Sequence, residues 1–188
     1  MDATKLLKAQ HQEVKALFKR LESQGSSPGA AAIFEELAHN LVAHDAIERE
    51  IFYPACEEVI GMTDQLGEAL VEHGYVEYGL YQADLALGES SFEAKCQVLK
   101  EVVLHHAQEE EDDLFPEVRA AIDASELESL GARMEERFEV VKQADYRELI
   151  RENLLQVMSG ALKTKPKKDA TPGEKAPAAK SNQRSAER

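Results

Sequence analysis

Apolar residues recur every three or four positions along most of the chain, which is the period of an α-helix. Leu6, Val14, Leu17, Phe18 and Leu21 share one face of a first helix running from about Ala3 to Leu21, and the breaker Gly25-Ser26-Ser27-Pro28-Gly29 follows it. The pattern predicts a second helix from about Gly29 to Ile60. A third begins at Thr63 or Asp64, both good N-cap residues, and ends by Gly88. Ser90…Glu93 and Ser125…Glu128 have the Ser-x-x-Glu spacing of capping boxes and predict the starts of a fourth and a fifth helix. The fifth continues to about Leu162 with a break near Ala144. No alternating stretch is long enough for a strand. The expected fold is all-α: an antiparallel up-down four-helix bundle over residues 1–122, a C-terminal helical extension over 123–162, and a basic tail over 163–188.

The bundle repeats itself at an offset of 62 residues: His11 meets His73, His44 meets His106, Glu48 meets Glu110 and Pro54 meets Pro116. Apolar positions follow, with Phe52 on Leu114, Tyr53 on Phe115 and Leu37 on Leu99. The first four-helix unit is therefore two similar helical hairpins, too few and too long to be a solenoid. Pro54 and Pro116 lie inside helical stretches and predict a kink at the same place in each half.

In each half one His lies on the first helix, and a second opens His-x-x-x-Glu, as His44…Glu48 and His106…Glu110. Residues i and i+4 differ by about 40° around a helix, so both point to one side, a turn apart. Four imidazoles and two carboxylates thus face the bundle axis. Alone, a His–Glu pair is an ordinary surface feature. Burying the set twice is costly without something to bind. His11, His44, Glu48, His73, His106 and Glu110 match the donors preferred by iron, manganese or zinc, with no thiolate among them. Six side chains leave two ions with open positions for a small diatomic or peroxide ligand.

His105 and Glu109 have the same spacing, but the offset and the ten-residue step to Pro116 select His106 and Glu110. His105 is read as exposed or as standing behind the ligands, and His39 as structural or exposed. Glu109, Glu111, Asp112 and Asp113 are read as a solvated acidic face. Tyr53, Tyr75, Tyr78 and Tyr81 are candidates for a phenol near the ions, with packing the expected role.

Charge narrows the partners. The net charge is −14, and residues 163–188 hold eight Lys/Arg against three Asp/Glu, so the remaining chain is more acidic still. Such a body repels nucleic acid and anionic lipid. The tail is too polar to pack and is expected to be disordered. No apolar run is long enough to span a membrane, and no secretory signal is evident. Two cysteines, Cys56 and Cys96, make no disulfide framework and fit a reducing, cytoplasmic setting.

At these residues the chain resembles the hemerythrin family, in particular bacterial HHE cation-binding domains with the pattern H…HxxxE…H…HxxxE. The resemblance covers about residues 1–122. It implies a non-haem centre of two iron ions, oxo- or hydroxo-bridged, held by the six residues named, with Glu48 and Glu110 bridging. The sequence departs from the oxygen carriers in two places. Their third helix carries His-x-x-x-His, where this chain has Glu77 at the second position. Their fourth-helix acid stands five residues after His, where this chain has Glu111, with Glu110 at four. Glu77 is either a seventh ligand or a surface acid, the latter preferred. The lost histidine argues against reversible oxygen carriage. It leaves a module for sensing or buffering small oxidants, gases or iron, an enzyme acting on peroxide or repairing iron centres, or a metal-free bundle. The apolar residues of the fifth helix (Leu127, Leu130, Met134, Phe138, Val141) are expected to cover either their own bundle or a partner copy.

Overall fold

The computed structural model describes residues 1–25, 27 and 29–159. These are almost wholly helical: α1 (Ala3–Gln24), α2 (Ala30–Ile47), α3 (Tyr53–Ile60), α4 (Asp64–Leu85), α5 (Phe92–Glu109), α6 (Phe115–Ala121), α7 (Ala124–Lys142) and α8 (Tyr146–Met158). α1 packs on α2 and α4 on α5, and the two hairpins close on each other through α1–α5 and α2–α4, giving the four-helix bundle. Leu7, Phe18, Phe34, Leu37, Leu80 and Leu99 fill its interior. The apolar face of α7 is buried on its own chain, against α1 and α2. α8 lies on α4, and between α7 and α8 the chain turns at Gln143–Asp145, as the break near Ala144 anticipated. The tail lies outside the described residues.

Two helix starts differ from expectation. α5 begins at Phe92 behind Ser91, whose side chain makes no cap bond, and α7 begins at Ala124 behind Asp123, so neither Ser-x-x-Glu stretch forms a capping box. Ser91, which precedes α5, is already in the helical region (φ −87°, ψ −6°), and Ser125 lies inside α7, so neither has the extended backbone an N-cap residue takes. Thr63 does cap α4, its Oγ1 accepting from Leu66 N–H at 3.2 Å.

The larger departure concerns the prolines. In place of a kink, α2 runs into α3 through a five-residue π-turn, Glu48–Phe52, and α5 runs into α6 through another, Glu110–Leu114. The Tyr53 N–H bonds to the Glu48 carbonyl and the Phe115 N–H to the Glu110 carbonyl, five residues back instead of four. Each proline then falls in the first turn after the π-turn, where a missing N–H is tolerated. Five steps along a plain α-helix would swing Tyr53 about 140° away from Glu48. The wider turn brings both inside.

The N-terminus is fixed by Asp2. One carboxylate oxygen caps α1 by accepting from Lys5 N–H at 3.0 Å, and Arg119 of α6 donates to the other at 3.1 Å. Burial alone would raise this carboxyl, but the bonds from Lys5 and Thr4 and the Arg119 charge hold it down at about 2, from 3.8. A carboxyl depressed on folding stabilises above its unfolded pKa and loses that contribution as pH falls through its folded one. Asp2→Ala should therefore cost about 1 kcal/mol near neutrality. Urea unfolding should show the gap between variant and parent closing as pH drops from about 4 to about 2.

Candidate metal centre

The six residues singled out by the repeat come together at mid-bundle, each buried. His11 comes from α1, His44 from α2, His73 from α4 and His106 from α5, while Glu48 and Glu110 open the two π-turns. Two groups form, each with donor atoms close enough for one ion: His11, His44, Glu48 and Glu110, and Glu48, His73 and His106. Glu48 Oε2 lies 3.2 Å from His44 Nε2 and 3.3 Å from His73 Nε2, so it reaches into both. Glu110 Oε2 lies 3.3 Å from His11 Nε2, within its own group, and 3.7 Å from His106 Nε2 of the other.

All four imidazoles point Nε2 inward and give Nδ1 to an oxygen. His44 donates to Gln10 Oε1 at 2.8 Å, His106 to Glu72 Oε2 at 2.9 Å, His11 to Glu111 Oε1 at 3.0 Å, and His73 to Asp45 Oδ1. A proton committed at Nδ1 leaves the Nε2 lone pair of the neutral ring free, which is what a metal ligand needs. Asp45 is itself gripped by Arg49, whose Nε donates to it at 2.8 Å.

The chemistry of the inward atoms fits a cation. His11 Nε2, both oxygens of Glu48 and Glu110 Oε2 are buried without a hydrogen-bond partner among the described residues. His73 Nε2 and His106 Nε2 stand 3.1 Å apart with their lone pairs inward. Buried polar atoms left in this way cost of the order of 1–3 kcal/mol each. Burial, then the facing Glu110 carboxylate, pushes Glu48 well above the usual carboxylate range. Burial also works to raise Glu110, but His106, His11 and His44 overcome it and hold that carboxyl down. Burial and the neighbouring His11 keep His44 well below its ordinary value and so neutral. Positive charge between the two carboxylates would remove these costs together.

Several residues stand elsewhere than their pattern suggested. Tyr53 is not merely packing: its hydroxyl donates to Glu110 Oε1 at 2.9 Å and lies 2.9 Å from His73 Nε2 and 3.4 Å from His106 Nε2. Tyr75 and Tyr78 are exposed, and Tyr81 packs at the edge of the core. Glu77 is not a surface acid. It is 2% exposed and turned toward α8, where Asn153 Nδ2 donates to its Oε1 at 2.6 Å. Burial and nearby Asp45 push the Glu77 carboxyl well above the usual carboxylate range. Nor is Glu111 wholly solvated, since it holds His11. His105 is exposed, and His39 meets the Tyr146 ring edge-on with centroids 5.0 Å apart.

A cavity of about 30 Å³ adjoins the four imidazoles. Val14, Leu41, Val76 and Val103, each one turn from a histidine toward the hairpin loops, wall it with apolar surface. It has room for a molecule of a few heavy atoms. On the other side Phe115 stacks on His11, with ring centroids 6.0 Å apart, and meets Phe52 edge-on. Both cysteines are buried and free, and burial pushes the Cys96 thiol up to about 12, so neither is a ready nucleophile. No helix among the described residues is long and apolar enough to cross a membrane.

Residues 2–118 match the Hemerythrin HHE cation binding domain family. Among solved structures, the fold is similar to a hemerythrin HHE cation binding domain-containing protein from Mycobacterium kansasii. The two are 28% identical with a TM-score of 0.66, over 86% of this chain and 97% of that one. Among curated proteins, a DNA nickase from Nostoc sp. is 25% identical over 130 residues, which is 68% of this chain but only 36% of the relative.

Proposed function

Because the chain belongs to the hemerythrin HHE cation binding family, we propose that its centre is a non-haem di-iron site that handles a small oxidant or gas: oxygen, nitric oxide or peroxide. The observation that carries this reading is the inward set of four Nε2 atoms and two carboxylates, several with no other partner. His11 and His44 would hold one ion and His73 and His106 the other, with Glu48 and Glu110 serving both. Two iron ions there would supply open coordination positions and redox capacity toward such ligands.

The chain's own residues support the choice of ligand. The cavity beside the imidazoles admits only a few atoms, and valine and leucine side chains make part of its wall apolar. Glu77, which stands where the oxygen carriers have a fifth histidine, has its Oε1 tied to Asn153 of α8 and belongs to neither donor group of the centre. This favours reaction or sensing over carriage. Tyr53 supports peroxide turnover as the second reading, because its hydroxyl brings a proton to the inner face of the site, at Glu110 Oε1. The nicking activity named for the Nostoc protein is not carried over. The stretch shared is about a third of that protein, and a net charge of −14 opposes the phosphate backbone. A reducing, cytoplasmic setting fits two buried, unpaired thiols.

The test is iron content per chain together with the visible spectrum, before and after peroxide. Two irons and charge-transfer absorption are expected. His44→Ala/His106→Ala should lose most of the iron while circular dichroism stays helical, and full occupancy in that variant would end the assignment. In Tyr53→Phe, iron should be retained and any oxygen evolution from peroxide should fall. If the loaded parent evolves no oxygen above free-iron controls, sensing or storage replaces turnover.

A further inference from the structure

Glu72 does two things at once. Its Oε2 accepts from His106 Nδ1, on the inner side, while its Oε1 faces outward toward His105 Nε2 at 3.9 Å. His105 Nε2 is also 3.3 Å from Glu109 Oε1, so one exposed imidazole stands between two carboxylates. Donors about 2.1 Å from a common ion lie within about 4.2 Å of each other, and both of these distances meet that limit. No Lys or Arg pairs with Glu72 or Glu109 among the described residues, so the two acids are left facing the imidazole.

The internal repeat makes the cluster specific to one half. At the offset of 62, Glu72, His105 and Glu109 correspond to Gln10, Ala43 and Ile47. Ala43 and Ile47 are fully buried where α7 covers α1 and α2. On the α4–α5 half, which α7 does not cover, all three positions carry metal-binding side chains. Gln10 and Glu72 both hold the second histidine of their hairpin, so an acceptor is all that task requires. The extra carboxylate oxygen of Glu72 is surplus to it.

We propose that Glu72, His105 and Glu109 form an outer site for a divalent first-row transition ion, which feeds the buried centre past Glu72. One imidazole and two carboxylates suit ferrous iron or zinc. The outer site stands on its own geometry, whereas its loading role rests on the di-iron reading. Glu72 connects the two, since the carboxylate that would hold the outer ion also orients His106.

The experiment uses the metal-free full chain, titrated with zinc in excess magnesium, and compares the parent with His105→Ala/Glu109→Gln. The variant should bind one zinc fewer per chain. Ferrous iron should then fill its buried centre severalfold more slowly, to the same final content. Equal zinc counts in the two proteins would overturn the outer site and leave the buried one standing. A parent that binds a single zinc, lost in the variant, would establish the outer site and remove the di-iron reading. A lower zinc count with an unchanged filling rate would keep the site and overturn its delivery role.

Discussion

Glu48→Gln should change stability in opposite directions with and without metal. In the metal-free protein the Glu48 carboxyl is fully buried, with neither oxygen partnered among the described residues. A neutral amide of the same shape can donate into the facing lone pairs. In chelator the variant should therefore equal or exceed the parent by up to about 1 kcal/mol. With metal the order reverses. A ligand that binds only the folded state at about a thousand times its Kd adds about 4 kcal/mol, or roughly 10 °C in Tm for a chain of this size. The parent should gain that and the variant should lose most of it, because Glu48 reaches into both donor groups. Thermal unfolding in chelator and in iron or zinc measures all four states. A parent whose melting ignores metal, or a variant weakened equally in both conditions, would count against a cation between the carboxylates.

Gly131→Ala should be the most damaging Gly→Ala change among the described residues. α7 crosses the start of α1 so closely at Gly131 that an added Cβ would stand 2.1 Å from the Met1 carbonyl oxygen and 2.9 Å from the Ala3 nitrogen. Both are backbone atoms, so no side chain can rotate away, and the first turn of α1 must move. That movement also undoes the Asp2 cap and its bridge to Arg119. Overpacking of this kind costs about 1–3 kcal/mol, to which the lost cap adds about 1. Chemical unfolding should report a loss near 3 kcal/mol by that reckoning. Because the two defects share one element, Asp2→Ala should cost less in the Gly131→Ala background than in the parent. Full additivity would mean that the helix end does not shift.

The helices and the six inward residues were legible because burial and repetition both leave periodic marks. An apolar face shows the period of 3.6, and a doubled polar set on that face is too costly to be incidental. The oxygens behind the histidines were not legible, because Gln10, Glu72, Asp45 and Glu111 sit at positions that read as ordinary helix surface. One signal was available: Gln10 and Glu72 obey the same offset as the residues they hold. Asp45 and Glu111 do not, since their counterparts are Ala107 and Arg49. Glu77 was misread because the residue that ties it down, Asn153 of α8, lies 76 residues further along the chain. Tyr53 was misjudged because a constant 100° per residue places it on the outside of the helix. Proline marked the spot correctly, but its pattern does not distinguish a bend from a widened turn.

That widened turn also carries a trace of the protein's past. A π-turn is a helix with one residue too many, and the two extra residues sit at the same point of the two halves, Glu48–Phe52 and Glu110–Leu114. The simplest history is that a single hairpin acquired the insertion first and was then copied. The ancestral unit would have brought two imidazoles and a carboxylate, so pairing two of them assembled the whole donor set in one step. Later change then fell on the parts that no longer had to match. One copy kept a tyrosine where the other has phenylalanine, and only one came to lie beneath α7.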